Sequence, residues 1–175
     1  VKFILSDART KITRYPNPTN TLDKYQAGQM MGDIYGYETI GIAKSKDEMD
    51  QHLASLPNGG QNALGTNWDA GDIMYKDLNG DGKIDNGGNK YDDMGDMKKI
   101  GNNTPRYLFG LDLNADYKGF DFRAFFQGVM KRDYWQGSAY FWGATSLWHS
   151  TGFVEHADYF RAEASNDLPA NLNAY

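Results

Sequence analysis

The stretch "DLNGDGKIDNGG", Asp77 to Gly88, sets oxygen-bearing side chains at alternate positions. Asp77, Asn79 and Asp81 can each present a side-chain oxygen, Lys83 a backbone carbonyl, and Asp85 a carboxylate, directly or through water. Gly82 stands where such a loop must turn sharply, and Ile84 would anchor it on its neighbours. A hard cation that takes about 6–8 oxygen ligands from a flexible loop, calcium above all, suits this spacing. The position that should close the cage holds Gly88, which has no side chain. Asp92, Asp93 or Asp96 can supply the missing carboxylate after the insertion "NGGNKYDDMG". A second account needs no metal, because Asn and Asp side chains cap tight turns unaided. The spacing leaves both open.

Other chemistry is thinner. His52, His149 and His156 fall in loop-like contexts without a ligand spacing and read as surface or packing residues. Acidic pairs such as Asp92–Asp93 read as solvated loop charge. "GDIYGYETIG" lacks the strand–loop–helix setting of a phosphate cradle. No catalytic set emerges, and the chain is not expected to be an enzyme. The run "RDYWQGSAYFWGATSLWHS" (Arg132–Ser150) is dense in rings. Tyr134, Trp135, Tyr140, Trp142 and Trp148 could stack on sugar faces or bury a partner protein; self-packing of the loop is the alternative.

The composition narrows the field. A formal net charge of −5 disfavours an electrostatic grip on nucleic acid. The absence of cysteine removes disulfides and thiolate zinc sites. Twenty Gly with 12 Tyr, 9 Phe and 4 Trp suit an all-β chain with many turns. No apolar run approaches the roughly 20 residues of a membrane helix, which leaves a membrane β-barrel open. The opening "VKFIL" reads as mid-strand, and the whole reads as a piece of something longer.

The elements that must carry these residues follow from periodicity. Strands are expected near 1–6, 28–43, 107–117 and 120–130, and a short helix over 47–56, where Met49, Leu53 and Leu56 recur and Pro57 stops it. In "RYLFGLDLNADYK", Tyr107, Phe109, Leu111, Leu113, Ala115 and Tyr117 share one face, and Leu108, Gly110, Asp112, Asn114 and Asp116 the other. "FDFRAFFQGVM" repeats the alternation, with Phe120, Phe122, Ala124, Phe126, Gly128 and Met130 opposite Asp121, Arg123, Phe125, Gln127 and Val129. Lys118–Gly119 fits the tight turn between them.

Each of these strands runs about 11 residues, against about 5–6 in soluble domains and about 9–11 for a tilted membrane-spanning strand. Apolar outside, polar inside and aromatic girdles suit an outer-membrane barrel. A soluble sandwich gives the same alternation with shorter strands. If the 120–130 strand rises outward, 44–106 and 131–175 become long outer loops, the 28–43 strand also rises, and 7–27 is left as an inner connection.

Several stretches together resemble a family. "GDIMYKDLNGDGKID" (71–85), then "IGNNTPRYLFGLDLNADYKGFDFRAFFQGV" (100–129), resemble the SusC/RagA-type TonB-dependent outer-membrane transporters. "GQMMGDIYGYETIGI" (28–42) and the closing "HADYFRAEASNDLPANLNAY" are similar to further stretches of that family. The resemblance implies a segment of a large, 22-stranded transmembrane β-barrel with a plugged lumen. It implies import of glycans or oligopeptides across the bacterial outer membrane, driven through TonB, with a SusD-type surface lipoprotein as lid and lipid around the barrel. It also makes Asp96, just before "MKKIG", the favoured closer of the aspartate loop, with 86–95 as an insertion. The alternative reading is a soluble, calcium-stabilised β module that binds carbohydrate or a partner protein.

Overall fold

The computed structural model describes residues 1–142, 152–164 and 168–172. Seven strands are present among them: β1 (Lys2–Ser6), β2 (Asp33–Tyr37), β3 (Thr39–Ile42), β4 (Ile73–Tyr75), β5 (Met97–Asn102), β6 (Arg106–Tyr117) and β7 (Phe120–Lys131). Helix α1 (Lys46–Ala54) follows β3, a short helix α2 (Ala139–Trp142) follows β7, and Val154–Ala157 forms a single 3₁₀ turn. The class is all-β with antiparallel pairing. The chain divides into two compact units, Val1–Tyr35 with Lys99–Trp135, and Gly36–Lys98 with Gln136–Tyr175.

The first unit is built on a three-stranded sheet in the order β1-β6-β7. The alternation in sequence becomes two faces because side chains along a strand point in turn to opposite sides. Cross-strand register sets Phe3, Leu111 and Phe126 in one row and Leu5, Phe109 and Gly128 in the next. On the opposite face Asn114 meets Arg123, and the Arg123 guanidinium reaches Asp112 with Nη2 at 2.7 Å from Oδ2. Lys118 and Gly119 both take positive φ, 48° and 83°, as a two-residue type I′ turn requires. Gly128 is glycine for a packing reason. A Cβ there would come within 2.7 Å of the Phe109 ring, which lies across it.

Two expectations about the path change. The stretch read as a single strand over 28–43 is two short strands with different partners: β2 pairs with β5, and β3 with β4. A shift of register between Thr39 and Gly41 breaks the run, and residues 27–32 are turns around a lone bridge from Lys11 to Met30. The second change concerns 7–27. Because β1 runs beside β6, with Ser6 opposite Leu108, the chain leaves β1 at the end of the sheet where β6 begins. Residues 7–105 are therefore one excursion from the end opposite the Lys118–Gly119 turn, and the chain after Lys131 departs from that same end.

The second unit has a small apolar core. Ala43, Met49 and Met74 are buried, with Leu53 and Trp68 packed against them. Helix α1 supplies Met49. Its N-cap is Ser45, whose hydroxyl accepts from the Glu48 amide at 3.2 Å, and Glu48 in turn accepts from the Lys44 amide at 2.7 Å. The expected helix over 47–56 thus starts one residue earlier and ends at Ala54.

Candidate functional site

Gly82, with φ of 78°, lets the chain double back between Asp81 and Lys83, a conformation glycine takes without strain. The loop then docks on residues 57–60. The Asn58 side-chain amide donates to the Asp81 carbonyl at 2.6 Å, and the Ile84 amide donates to the Gly60 carbonyl at 2.8 Å. Ile84 itself is fully buried, the anchor its position suggests.

Asp96 reaches this loop across the insertion and is fully buried. Its Oδ1 accepts from the Leu78 amide at 2.7 Å and its Oδ2 from the Asp85 amide at 2.9 Å. The Asp96 amide returns a bond to the Asp85 carbonyl at 2.9 Å, so residues 86–95 leave and rejoin at one point. A carboxylate oxygen from each of Asp77, Asp81 and Asp96 lies within 4.8 Å of the other two. Ligands on one calcium ion, each at about 2.3–2.6 Å, span at most about 5 Å from side to side, so this cluster fits a single ion.

The remaining predicted ligands sit differently. The Asp85 carboxylate accepts from the Gly87 amide at 2.8 Å and from the Lys83 ammonium, outside the three-carboxylate cluster. The Lys83 hydrogen bond, with the Gly87 amide adding to it, holds the Asp85 carboxyl below its ordinary range. The Lys83 ammonium also lies 3.8 Å from Asp81 Oδ2 and offsets part of the negative charge. Asn79 Oδ1 accepts from the Asp81 amide at 2.9 Å, and Asp77 accepts from the Gly80 and Gly82 amides at 2.6 and 2.9 Å. Asp93 turns to the Gly88 amide at 2.9 Å, away from the cluster. The loop's oxygens therefore meet the needs of its own turns, while the hard donors of Asp77, Asp81 and Asp96 also suit calcium.

The aromatic candidates divide. Tyr134, Trp135 and Trp142 are well exposed, and Trp142 meets Phe141 edge-on with ring centroids 5.1 Å apart. The side chain of Tyr140 and the whole of Trp148 lie outside the described residues, as does His149. His52 bonds to Gln61 Oε1 at 3.0 Å, and His156 Nδ1 accepts from the Phe153 amide at 3.0 Å.

Two polar anchors carry no obvious sequence signal. Gln61 is fully buried; its carbonyl accepts from the Tyr75 amide at 2.6 Å and its NH₂ donates to the Ile73 carbonyl at 3.1 Å, as a neighbouring strand would. Asn102 donates to the Met31 carbonyl at 2.9 Å and to Asp33 Oδ1 at 2.7 Å. Its amide donates to Asp133 Oδ2 at 2.7 Å, and the preceding Gly101 leaves room for that carboxylate, which a Cβ would approach to 2.9 Å.

No family model matches the chain. It is similar to TonB-dependent receptor P3 of Formosa agariphila, 31% identical over 100 residues. That likeness supports the TonB-dependent transporter family. The aligned stretch covers 57% of this chain and only 8% of the relative's length. The described strands form open sheets, and no closed barrel occurs among them.

Proposed function

We propose that this chain is part of the barrel of a SusC/RagA-type transporter, which imports glycans or oligopeptides across the outer membrane of a bacterium with energy relayed by TonB. The observation that carries this reading is the β1-β6-β7 sheet. Its two long strands have 12 residues each, enough to cross a bilayer at a tilt. One face is apolar from end to end, and Phe3, Leu5, Phe122 and Phe126 on it are more than half exposed. A face of that size in contact with water invites association, whereas lipid hydrocarbon satisfies it. The opposite face is mixed, with Ile4, Leu108, Phe125 and Val129 among Asp112, Asn114, Arg123 and Gln127, and its polar members suit a watery lumen. The tight turn at one end of the sheet and the long excursions at the other match the inner and outer ends of such barrels.

Within that reading the strand neighbours missing from β1 and β7 come from the rest of the barrel. The excursions 7–105 and 131–175 stand outside, where Tyr134, Trp135 and Trp142 contact substrate or a SusD-type lipoprotein lid. The aspartate loop binds calcium through Asp77, Asp81 and Asp96, with Asn79 and the Lys83 carbonyl as further donors. The ion would fix the outer excursion; it takes no part in a reaction.

Cell fractionation and uptake test the proposal. The full-length protein should remain with the outer membrane until detergent releases it, and uptake of its substrate should stop when TonB is deleted. A full-length product found in the soluble fraction, or uptake indifferent to TonB, would overturn it.

A further inference from the structure

A cleft of about 430 Å³ opens in the first unit, at the end of the sheet from which the long excursions leave. Arg9, Lys99, Arg106 and Lys131 stand in its wall, with Met31 and Ile100 giving it an apolar part. This is a local reversal of sign in a chain whose formal net charge is −5. Arg106 and Lys131 lie directly opposite each other where the β6–β7 ladder begins at that end. Lys131 continues the series Arg123, Gln127 along β7, on the polar face.

The four cations are not equally engaged. Arg106 holds Asp7 in a two-pronged pair, with Nη2 at 2.6 Å from Oδ2, and Lys99 pairs with the nearly buried Asp33. Neither Arg9 nor the Lys131 side chain forms a close ion pair among the described residues, although Arg9 acts through space on the Asp7 carboxylate that Arg106 holds. Asp133 is the acidic residue of the wall, and its Oδ2 is held by the Asn102 amide at 2.7 Å. Lys131, and Arg9 with only a distant share in Asp7, stand beside two cations already fixed in place and form a concave, positively biased site. Such a site concentrates anions, because low-dielectric walls focus the field of the charges that line them.

We propose that this cleft receives a carboxylate or sulfate group of the transported solute as it enters the polar side of the barrel. The inference rests on the import reading and adds a substrate class to it: solutes that carry negative charge. Arg9 and Lys131 bind the anionic group, and Met31 and Ile100 pack against the carbon skeleton beside it. A guanidinium offers two parallel N–H donors, which match the paired oxygens of a planar carboxylate and two of the oxygens of a tetrahedral sulfate.

The test is calorimetric binding to the detergent-solubilised full-length protein. The probes are tetragalacturonate, a sulfated tetrasaccharide and tetraglutamate, each against an uncharged counterpart. At least one anionic probe should bind tenfold or more tighter than its counterpart, a difference of about 1.4 kcal/mol. The double variant Arg9→Gln, Lys131→Gln should erase that preference, and Arg9→Lys with Lys131→Arg should keep most of it. Whichever probe shows the preference separates acidic glycans from acidic peptides. Equal affinity for charged and uncharged probes, no measurable binding of any anionic probe, or a preference that survives the Gln variants would overturn the inference. None of these results touches TonB dependence or membrane residence, so the import reading stands or falls separately.

Discussion

Asp81 and Asp96 belong to one cluster but differ in what surrounds them. Asp96 is buried and ties Leu78 to Asp85 through backbone amides, so its loss would loosen the loop with or without a metal. Asp81 is partly exposed and accepts from the Lys83 amide and from the Asn79 side-chain amide, both at 3.2 Å, bonds that contribute about 1 kcal/mol each at most. Asp81→Ala should therefore cost about 1–2 kcal/mol in chelator. In calcium at a hundredfold excess over its dissociation constant, it should also forfeit ~2.7 kcal/mol of ligand-linked stability. Thermal melts of the full-length protein with and without calcium check this; an equal loss in both would favour a loop that needs only its turns. The alternation of Asp77, Asn79 and Asp81 was legible because those donors are neighbours along the chain. Asp96 was one of three closers the residues offered, and only family resemblance singled it out, since ten residues intervene. Gln61 and Asn102 were not legible at all. Their partners, Ile73 and Tyr75 for one and Met31, Asp33 and Asp133 for the other, are distant in sequence, and a buried amide looks like any surface amide until the fold covers it.

At the scale of elements, β6, β7 and their turn follow from local rules: period-two alternation, a high density of aromatic residues, and a Lys-Gly pair able to take positive φ twice. The 28–43 stretch misleads the same rules. It is rich in strand formers, yet its pairing is set by β5 and β4, which lie far along the chain, and a register shift divides it. The position of β1 was equally out of reach of local pattern, because five residues beside β6 announce no partner. The contact between Phe109 and Gly128 is the element-level feature most open to test. Gly128→Ala puts a methyl within 2.7 Å of the ring and should destabilise the hairpin. Adding Phe109→Leu should recover part of that loss, with a coupling of about 0.5–3 kcal/mol between the two sites. Denaturation of the single and double variants measures it, and strictly additive effects would show that the ring does not rest on the glycine.

For the whole molecule, the proposed function turns on whether the apolar side of β1-β6-β7 meets lipid. The two long strands carry one face with no charged residue from Phe109 to Tyr117 and from Phe120 to Met130, and one face with Asp112 and Arg123 paired across it. That asymmetry joins the sequence pattern to the proposed function. It was visible in the sequence because a strand's faces depend only on parity. What covers each face was not, because that depends on the environment of the longer protein. The most direct measurement places single nitroxide labels at Phe122, Arg123, Phe126 and Gln127 in full-length protein in native outer membranes. This chain contains no cysteine of its own to compete for the label. Labels at 122 and 126 should relax rapidly with oxygen, which dissolves in hydrocarbon, and those at 123 and 127 with a water-soluble nickel chelate. Uniform accessibility, or nickel reaching 122 and 126 as readily as 123 and 127, would contradict a lipid-facing sheet and remove the basis for import.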